Sequence, residues 1–199
     1  MNDAPSIGER YSAAIESSDL RVRAEKRGDV DILIAAGWVG EGLGPMLYRL
    51  QVEFDLVRAD VRGPGTLSPI ERYLILEKMK TLRPARQALG SFVVEEAEKW
   101  GAPWEPAVLR LLMGQVLDVF LDPTCHHCEG RGFHGGTHRG EQQVLCRPCR
   151  GSSHRRDQIG KDAAQAHFGA HLLAQLERQL VDVERAMKRF LRDRPHVEA

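Results

Sequence analysis

Residues 125–151 read CHHCEGRGFHGGTHRGEQQVLCRPCRG, and this stretch contains all four cysteines of the 199-residue chain. The cysteines form two CxxC pairs that are separated by 17 residues. This spacing is typical of four-thiolate zinc sites, in which each pair forms a short knuckle and the two knuckles surround one tetrahedral ion. We therefore predict one structural Zn²⁺ that is bound by Cys125, Cys128, Cys146 and Cys149.

Glycines follow both cysteine pairs. Gly130 and Gly132 come after the first pair, and Gly151 comes after the second. Glycine permits positive φ angles, which let backbone amides turn toward the thiolates and offset their charge. The segment 122–160 has no apolar period of its own, so we expect its order to come from the metal, which can contribute on the order of 10 kcal/mol to folding.

Other uses of these cysteines fit the sequence less well. Clustered cysteines in a chain without an export signal disfavour a disulfide framework, and a dithiol redox site needs only one CxxC pair. Covalent haem attachment requires histidine directly after the second cysteine, where this chain has Glu129. The zinc deaminase signature also fails, because Pro148-Cys149 is followed by Arg150-Gly151-Ser152.

A four-thiolate site leaves no open position on the metal for chemistry. A catalytic zinc keeps such a position and needs a nearby general acid or base. We therefore expect a protein that is not an enzyme and has no small-molecule substrate. His126 and His127 lie inside the first knuckle and could replace a thiolate. Because four cysteines already suffice, we expect both imidazoles to face solvent.

Helices are predicted on both sides of the cysteine segment. The capping-box pattern of Ser68, Pro69 and Glu71 begins one helix, which should end near Pro84. Its predicted apolar face comprises Ile70, Leu74, Ile75, Met79 and Leu82. Further helices are predicted over residues 84–100 and 106–121. Apolar residues at alternating intervals of three and four then predict a long amphipathic helix over residues 162–192, which we expect to pack on the earlier helices rather than on a coiled-coil partner.

The amino-terminal third gives weaker signals. Residues 29–62 favour a helix in two pieces, interrupted by GWVGEGLGP at 37–45. We expect residues 1–28 to form a poorly ordered arm and residues 63–65, Gly-Pro-Gly, to form a linker. The predicted fold class is therefore mainly α, a helical bundle with an inserted small four-cysteine zinc finger. The predicted divisions are an amino-terminal helical arm (1–65), the first part of the helical core (66–121), the zinc-finger insertion (122–160) and the second part of the core (161–199).

The overall composition excludes several classes of protein. With 42% hydrophobic and 28% charged residues, the chain has the composition of an ordinary folded protein. Its formal net charge is zero, which excludes a polycationic binder. The start of the chain carries Asp3 and Glu9 instead of a cationic, apolar leader, and the longest apolar run, residues 32–40, is about half the roughly 20 residues that cross a bilayer. We expect a cytoplasmic protein without membrane contact.

Positive charge is nevertheless concentrated around the cysteines. Between Cys125 and Lys161 there are seven basic residues against three carboxylates. A cationic surface beside a zinc knuckle favours contact with the phosphate backbone of double-stranded DNA, whereas a single aromatic residue in the stretch, Phe133, disfavours stacking on single strands. The candidate DNA contacts are Arg147, Arg150, Arg155, Arg156 and Lys161, followed by Arg139 and Arg131.

The order of the elements resembles one known family. A helical block, CxxCxGxG, a basic spacer, CxxCxG and a closing amphipathic helix are similar to the Q-type late-gene antitermination proteins of lambdoid bacteriophages. The likeness covers residues 66–192, from SPIERYLILEKMK through LRLLMGQVLDVF to the last helix. Ser153 departs from the repeated pattern, which has a second glycine there, and this affects the loop and not the ligands.

The resemblance implies a function. It would make this protein a transcription antitermination factor that binds promoter-proximal DNA, associates with bacterial RNA polymerase and permits read-through of terminators. It also implies that the four cysteines are the zinc ligands and that the neighbouring basic residues contact DNA. The CxxCxGxG repeat occurs in DnaJ-type co-chaperones as well, but those have four repeats and an HPD motif that this sequence lacks. A zinc-stapled protein-interaction module without DNA binding remains the alternative.

Overall fold

The protein is described by a computed structural model over residues 7–16, 35–37, 39–61, 67–102, 104–135, 142–155 and 159–193. Its labelled helices are α1 (Ile7–Glu16), α2 (Leu43–Val61), α3 (Pro69–Lys78), α4 (Leu82–Lys99), α5 (Pro106–Leu121) and α6 (Ala163–Asp193). Two short strands, β1 (Phe133–His134) and β2 (Val144–Leu145), lie between α5 and α6. The predicted fold class is confirmed, since the described chain is mainly helical and the cysteine segment is inserted between the last two helices.

The helices share one apolar core. Helix α6 packs against both α2 and α5, and α2 also packs against α3 and α4. Side chains from five helices meet there in full burial, among them Phe54, Ile75, Leu89, Leu112, Phe168 and Leu176. The predicted helices on either side of the cysteines therefore belong to the same bundle. Helix α2, which the sequence assigned to an amino-terminal arm, lies inside that bundle and not apart from it.

The start of α3 agrees with its predicted capping box. The amide of Glu71 donates to Ser68 Oγ at 3.2 Å, and Glu71 Oε2 accepts from the amide of Ser68 at 2.7 Å. The predicted end of this helix is wrong, because α3 stops at Lys78 and Pro84 lies in the first turn of α4. Proline is tolerated there because the first amides of a helix have no intrahelical acceptor.

The predicted apolar face of α3 is only partly correct. Ile75 and Met79 are buried, but Ile70 is 74% exposed and Leu74 is 46% exposed. Helix α3 is short and packs mainly on α2, so a narrow stripe of the helix meets the core. The wider face that the sequence suggests therefore continues onto the surface.

The amino-terminal segment is more ordered than its sequence predicts. Residues Ile7–Glu16 form helix α1, so the prediction of a poorly ordered arm is wrong for this part. Tyr11 packs on Tyr48 of α2 with ring centroids 5.7 Å apart, and the two join a second apolar cluster with Met187 of α6. The remainder of that predicted arm and the predicted linker at 63–65 lie outside the described residues. Across the described helices, none combines the length and the apolar character needed to cross a membrane.

Candidate metal centre

The four cysteine sulfurs converge on one point. All four Sγ atoms lie within 4.8 Å of one another, and all four residues are fully buried. The Sγ atoms of Cys125 and Cys146 are 4.0 Å apart, and those of Cys128 and Cys149 are 3.6 Å apart. Ligands about 2.3 Å from a tetrahedral zinc ion have sulfurs about 3.8 Å apart, whereas a disulfide requires about 2.05 Å. The predicted ligands therefore form a site that could hold one metal ion.

The two knuckles are related by an approximate twofold symmetry. We define the first knuckle as residues 125–132 and the second as residues 146–153. Within each knuckle, a residue after the second cysteine donates its amide to that cysteine's carbonyl: Arg131 to Cys128 at 2.9 Å and Ser152 to Cys149 at 2.8 Å.

The symmetry extends to the contacts between the knuckles. The amide of Cys146 donates to the carbonyl of Gly132 at 2.9 Å, and the amide of Cys125 donates to the carbonyl of Ser153 at 2.9 Å. The first residue of each knuckle is thus hydrogen-bonded to the last residue of the other. The strand pairing Phe133 with Leu145 and the isolated bridge of Thr124 with His154 extend the two contacts symmetrically. Backbone bonds therefore fix the four thiolates as one unit.

Positive φ angles recur at equivalent positions of the two knuckles. Glu129, Gly130 and Gly132 have φ of 53°, 77° and 80° in the first knuckle, and Arg150, Gly151 and Ser153 have 49°, 85° and 66° in the second. Ser153 therefore adopts the left-handed conformation that its glycine counterpart adopts, and the departure from the sequence repeat leaves the loop shape unchanged. Gly132 has a steric requirement too, since a Cβ there would lie 2.8 Å from the carbonyl oxygen of Gly151.

Backbone amides and burial both act on the thiols. The amide of Gly132 donates to Cys128 Sγ at 3.1 Å. Burial raises the pKa of Cys125 and brings the pKa of Cys146 to about 12. Burial opposes ionisation of Cys149 as well, but hydrogen bonds from the Cys146 thiol and from the Gly151 and Ser153 amides lower its pKa to about 7. Metals bind thiolates, so metal binding must release protons from the buried thiols and should strengthen as pH rises.

The candidate DNA contacts fall into three groups. Arg131, Arg147, Arg150 and Lys161 are exposed, and Arg131 Nε donates to the carbonyl of Cys128 at 3.2 Å. Arg139 and Arg156 lie outside the described residues. Arg155 is different, because only 13% of its side chain is exposed and its guanidinium points toward Asp118 of α5. The knuckles therefore present a cationic surface to solvent, but Arg155 is not on it.

The two knuckle histidines have different surroundings. His127 is exposed as expected, but the expectation is wrong for His126, which is partly buried against Arg72 of α3. Burial, and then the charge of Arg155, lowers the pKa of His126. Arg72 Nη1 lies 3.4 Å from His126 Nε2, and the same ring nitrogen lies 3.9 Å from Asp122 Oδ2.

Two polar features escaped the sequence analysis. The turn before α4 and the first two turns of that helix carry the exposed side chains of Lys80, Arg83 and Arg86, which we call the α4 basic cluster. The three basic residues of KTLRPAR at 80–86 indicate a cationic surface, but the predicted helices account only for the apolar residues and the proline of this stretch. The second feature is a network around Asp118 and Asp122 at the end of α5. Its partners are distant in sequence, so no local pattern indicated it.

Comparison with known proteins identifies no relative: no family model matches the chain, and neither curated proteins nor solved structures include a similar one. The resemblance to the Q-type antitermination proteins therefore stays a prediction.

Proposed function

We propose that the protein is a zinc-dependent DNA-binding regulator that acts as a transcription antitermination factor. The observation that carries the DNA-binding part is the exposure of Arg131, Arg147 and Arg150 on two knuckles whose backbone is fixed by a buried metal site. Because the backbone that carries them is already fixed, these arginines can bind phosphate without the entropic cost of ordering a loop. The formal charge of the whole chain is zero, so this local surface has to provide the attraction.

Zinc is the metal that we assign to the site. Four thiolates in a closed, buried arrangement are the typical ligand set of structural Zn²⁺. Each of the four cysteines would supply one thiolate, and the amides that point at Cys128 and Cys149 would offset part of the negative charge. The expected result of elemental analysis is one zinc per chain, and a chain purified with an iron–sulfur cluster would overturn the assignment.

The α4 basic cluster provides a second contact surface. Arg72 of α3 touches His126 of the first knuckle, and Lys78 ends the same helix six residues later. Six residues span about 9 Å of an α-helix, so we propose that the cluster that follows can reach a duplex bound at the segment 123–155, which we call the zinc module. We propose that the knuckle arginines and Lys161 contact phosphates of one duplex together with Arg83 and Arg86. Arg139 and Arg156 remain predicted contacts, whereas Arg155 faces Asp118 and is not among them.

Salt dependence of DNA binding tests this proposal. The affinity for a duplex that contains the late-promoter region is measured by fluorescence anisotropy over a series of salt concentrations. Each lost phosphate contact should reduce the slope of log K against log salt by about 0.9. The double variant Arg147→Ala/Arg150→Ala should therefore bind more weakly and lose about two units of slope. Arg178→Ala/Arg189→Ala removes two exposed arginines from α6 and should change neither. Equal behaviour of the two double variants would contradict the proposal.

Antitermination and the association with RNA polymerase rest on the order of sequence elements. Run-off transcription on a template that bears the late promoter and a downstream terminator tests them. Addition of the protein should increase read-through by bacterial RNA polymerase, and the Arg147→Ala/Arg150→Ala variant should not. DNA binding without read-through would limit the protein to a DNA-binding regulator.

A protein-interaction module is the second candidate, and exposed apolar residues favour it. Val144 and Leu145 are 59% and 68% exposed on β2, and Ile70 and Tyr73 are exposed on α3. An apolar contact would gain little from low salt, because it depends on burial and not on counterion release. Partner binding that is insensitive to salt, without DNA binding, would favour this candidate.

A further inference from the structure

The junction between the zinc module and the bundle is polar. None of the described residues between 123 and 155 contributes to the apolar core of the bundle, and the cysteines form a separate buried cluster. Apolar anchoring begins at the two ends of the insertion, with Leu121 on one side and Ile159 on the other. The orientation of the module must therefore depend on polar contacts.

Arg72 makes the first of these contacts. Its Nη2 donates to the carbonyl of Asp118 at 2.8 Å and lies 3.2 Å from Asp118 Oδ1. Its Nη1 lies 3.4 Å from His126 Nε2 in the first knuckle. One side chain of α3 thus contacts both the last turn of α5 and the zinc module. Hydrogen bonds to charged groups are among the stronger ones, and partial burial further strengthens the contact between Arg72 and Asp118.

Arg155, two residues after the second knuckle, approaches the same carboxylate. Its Nη2 lies 4.0 Å from Asp118 Oδ2, and its amide donates to the carbonyl of Pro123 at 2.9 Å. Asp118 therefore sits between two guanidiniums that belong to different parts of the chain. Only Arg155 lies at the end of the module, whereas Arg72 belongs to the bundle. Asp118 connects the two.

Asp122 completes the junction one helical turn later. Its side chain is 1% exposed, with Oδ1 3.9 Å from Arg58 Nη1 of α2 and 3.4 Å from the amide of Thr124. Asp122, at the start of the insertion, thus contacts α2, whereas Asp118, one turn earlier in α5, contacts α3. A buried carboxylate is retained in a fold only where cations and donors compensate for its desolvation.

We infer that Arg72, Asp118 and Arg155 are positioning residues, which set the angle between the zinc module and the bundle. This inference deepens the proposed function, because that angle would align the knuckle arginines with the α4 basic cluster on a single duplex. The orientation itself is measurable whether or not the protein binds DNA. Failure of the proposed function and failure of this inference are therefore distinguishable.

The first experiment measures the orientation directly. Genetically encoded spin labels replace His134 on the module and Glu95 on α4, which are both exposed, so the cysteines stay free to bind metal. Distances between the labels are measured by pulsed electron paramagnetic resonance in the metal-loaded protein. Arg72→Met and Asp118→Asn should each broaden the distance distribution while zinc content and helical circular dichroism stay unchanged. Unchanged distributions in both variants would overturn the inference.

Matched controls come from an ion pair on α6. Arg185 and Asp182 are exposed and lie 3.3 Å apart, and no hydrogen bond or ion pair among the described residues joins either of them to the module. Arg185→Met and Asp182→Asn repeat the two substitutions there and should leave the distances as in the unmodified chain. Should Arg72→Met fail to fold, Arg72→Lys keeps the charge but loses the two-point contact, and it should broaden the distribution to a smaller extent.

DNA affinity supplies a readout of opposite sign. Asp118→Asn removes a negative charge near the proposed DNA surface, so electrostatics alone predicts tighter binding. A positioning role predicts weaker binding, on the order of tenfold. Without the charged hydrogen bond between Arg72 and Asp118, the knuckle arginines and the α4 basic cluster would no longer be aligned on one duplex, and phosphate contacts would be lost. Tighter binding of Asp118→Asn would overturn the positioning role in DNA recognition. An unmodified chain that binds no DNA would refute the proposed function and leave the distance result to decide the inference.

Discussion

The bundle and the zinc module of this chain are stabilised by different means. In the bundle, side chains such as Phe54, Leu112 and Phe168 are fully buried among helices, and burial of apolar area stabilises the fold. In the module, the buried cluster consists of the four cysteines, and the backbone bonds run from knuckle to knuckle. The difference teaches that a segment without an apolar core can still have a defined backbone shape when left-handed turns and bonds between the knuckles bring four sulfurs together, as a metal site requires.

Metal removal should have the largest effect on this contrast. Cys128→Ser, or chelation of the unmodified chain, removes a contribution on the order of 10 kcal/mol from the module and none from the bundle. Amide hydrogen exchange should then lose protection in both knuckles and keep it in α4, α5 and α6. His127→Ala is the matched control, since His127 is an exposed residue of the same knuckle. Collapse of the helices on chelation would show that the two regions are not independent.

Substitution in the apolar core should destabilise the bundle and leave the metal site intact. Leu112 and Leu111 are neighbours on α5, but Leu112 is fully buried and Leu111 is 44% exposed. Leu112→Ala should lower the free energy of unfolding of the bundle by roughly 2–5 kcal/mol, because it removes buried methyl groups and leaves a cavity. Leu111→Ala should change it by about 0.5 kcal/mol at most. Denaturant titration measures both values, and metal content should be normal in each variant. Equal losses of unfolding free energy in the two variants would mean that Leu111 and Leu112 are buried to the same extent.

The sequence predicted those features whose signals are local. The two CxxC pairs predicted which four sulfurs converge, and Ser68 with Glu71 predicted the start of α3, because the residues within each of these motifs lie within a few positions of one another. Predictions that depended on distant contacts were less successful. Arg155 looked like a surface cation, since its partial burial depends on Asp118 and Arg72, and those two residues are themselves 46 positions apart. The exposure of Ile70 depends likewise on which side of α3 meets α2.

The same type of substitution, glycine to alanine, should have opposite effects on stability in the two regions. Gly132→Ala would force alanine to a φ of 80° with its Cβ 2.8 Å from the carbonyl oxygen of Gly151, so it should weaken the module by about 1–3 kcal/mol. Competition with a chelator should register this as at least about a fivefold loss of zinc affinity. In α4, Gly90→Ala meets only Met113 Sδ at 3.8 Å and should raise the stability of the bundle by roughly 0.5–1 kcal/mol. Loss of stability in both variants would refute the contrast.

The smallest expected effect lies at the position where the two knuckles differ in sequence. Ser153 holds a φ of 66°, a conformation that glycine adopts without steric strain, and its backbone, not its side chain, bonds to Cys125. Ser153→Gly should therefore relieve about 1 kcal/mol of strain and lose part of that gain to the greater freedom of glycine in the unfolded chain. The net result should be a slightly higher zinc affinity, about twofold, in chelator competition.

Ser152→Gly is the control for that substitution, because its hydroxyl contacts the backbone of His154 and its φ is not positive. Glycine at 152 should lower the affinity, since it removes those contacts and adds freedom to the unfolded chain. If glycine at 153 lowered the affinity as well, the Ser153 side chain would have to stabilise the second knuckle directly. The approximate twofold symmetry would then describe the backbone of the module but not its energetics.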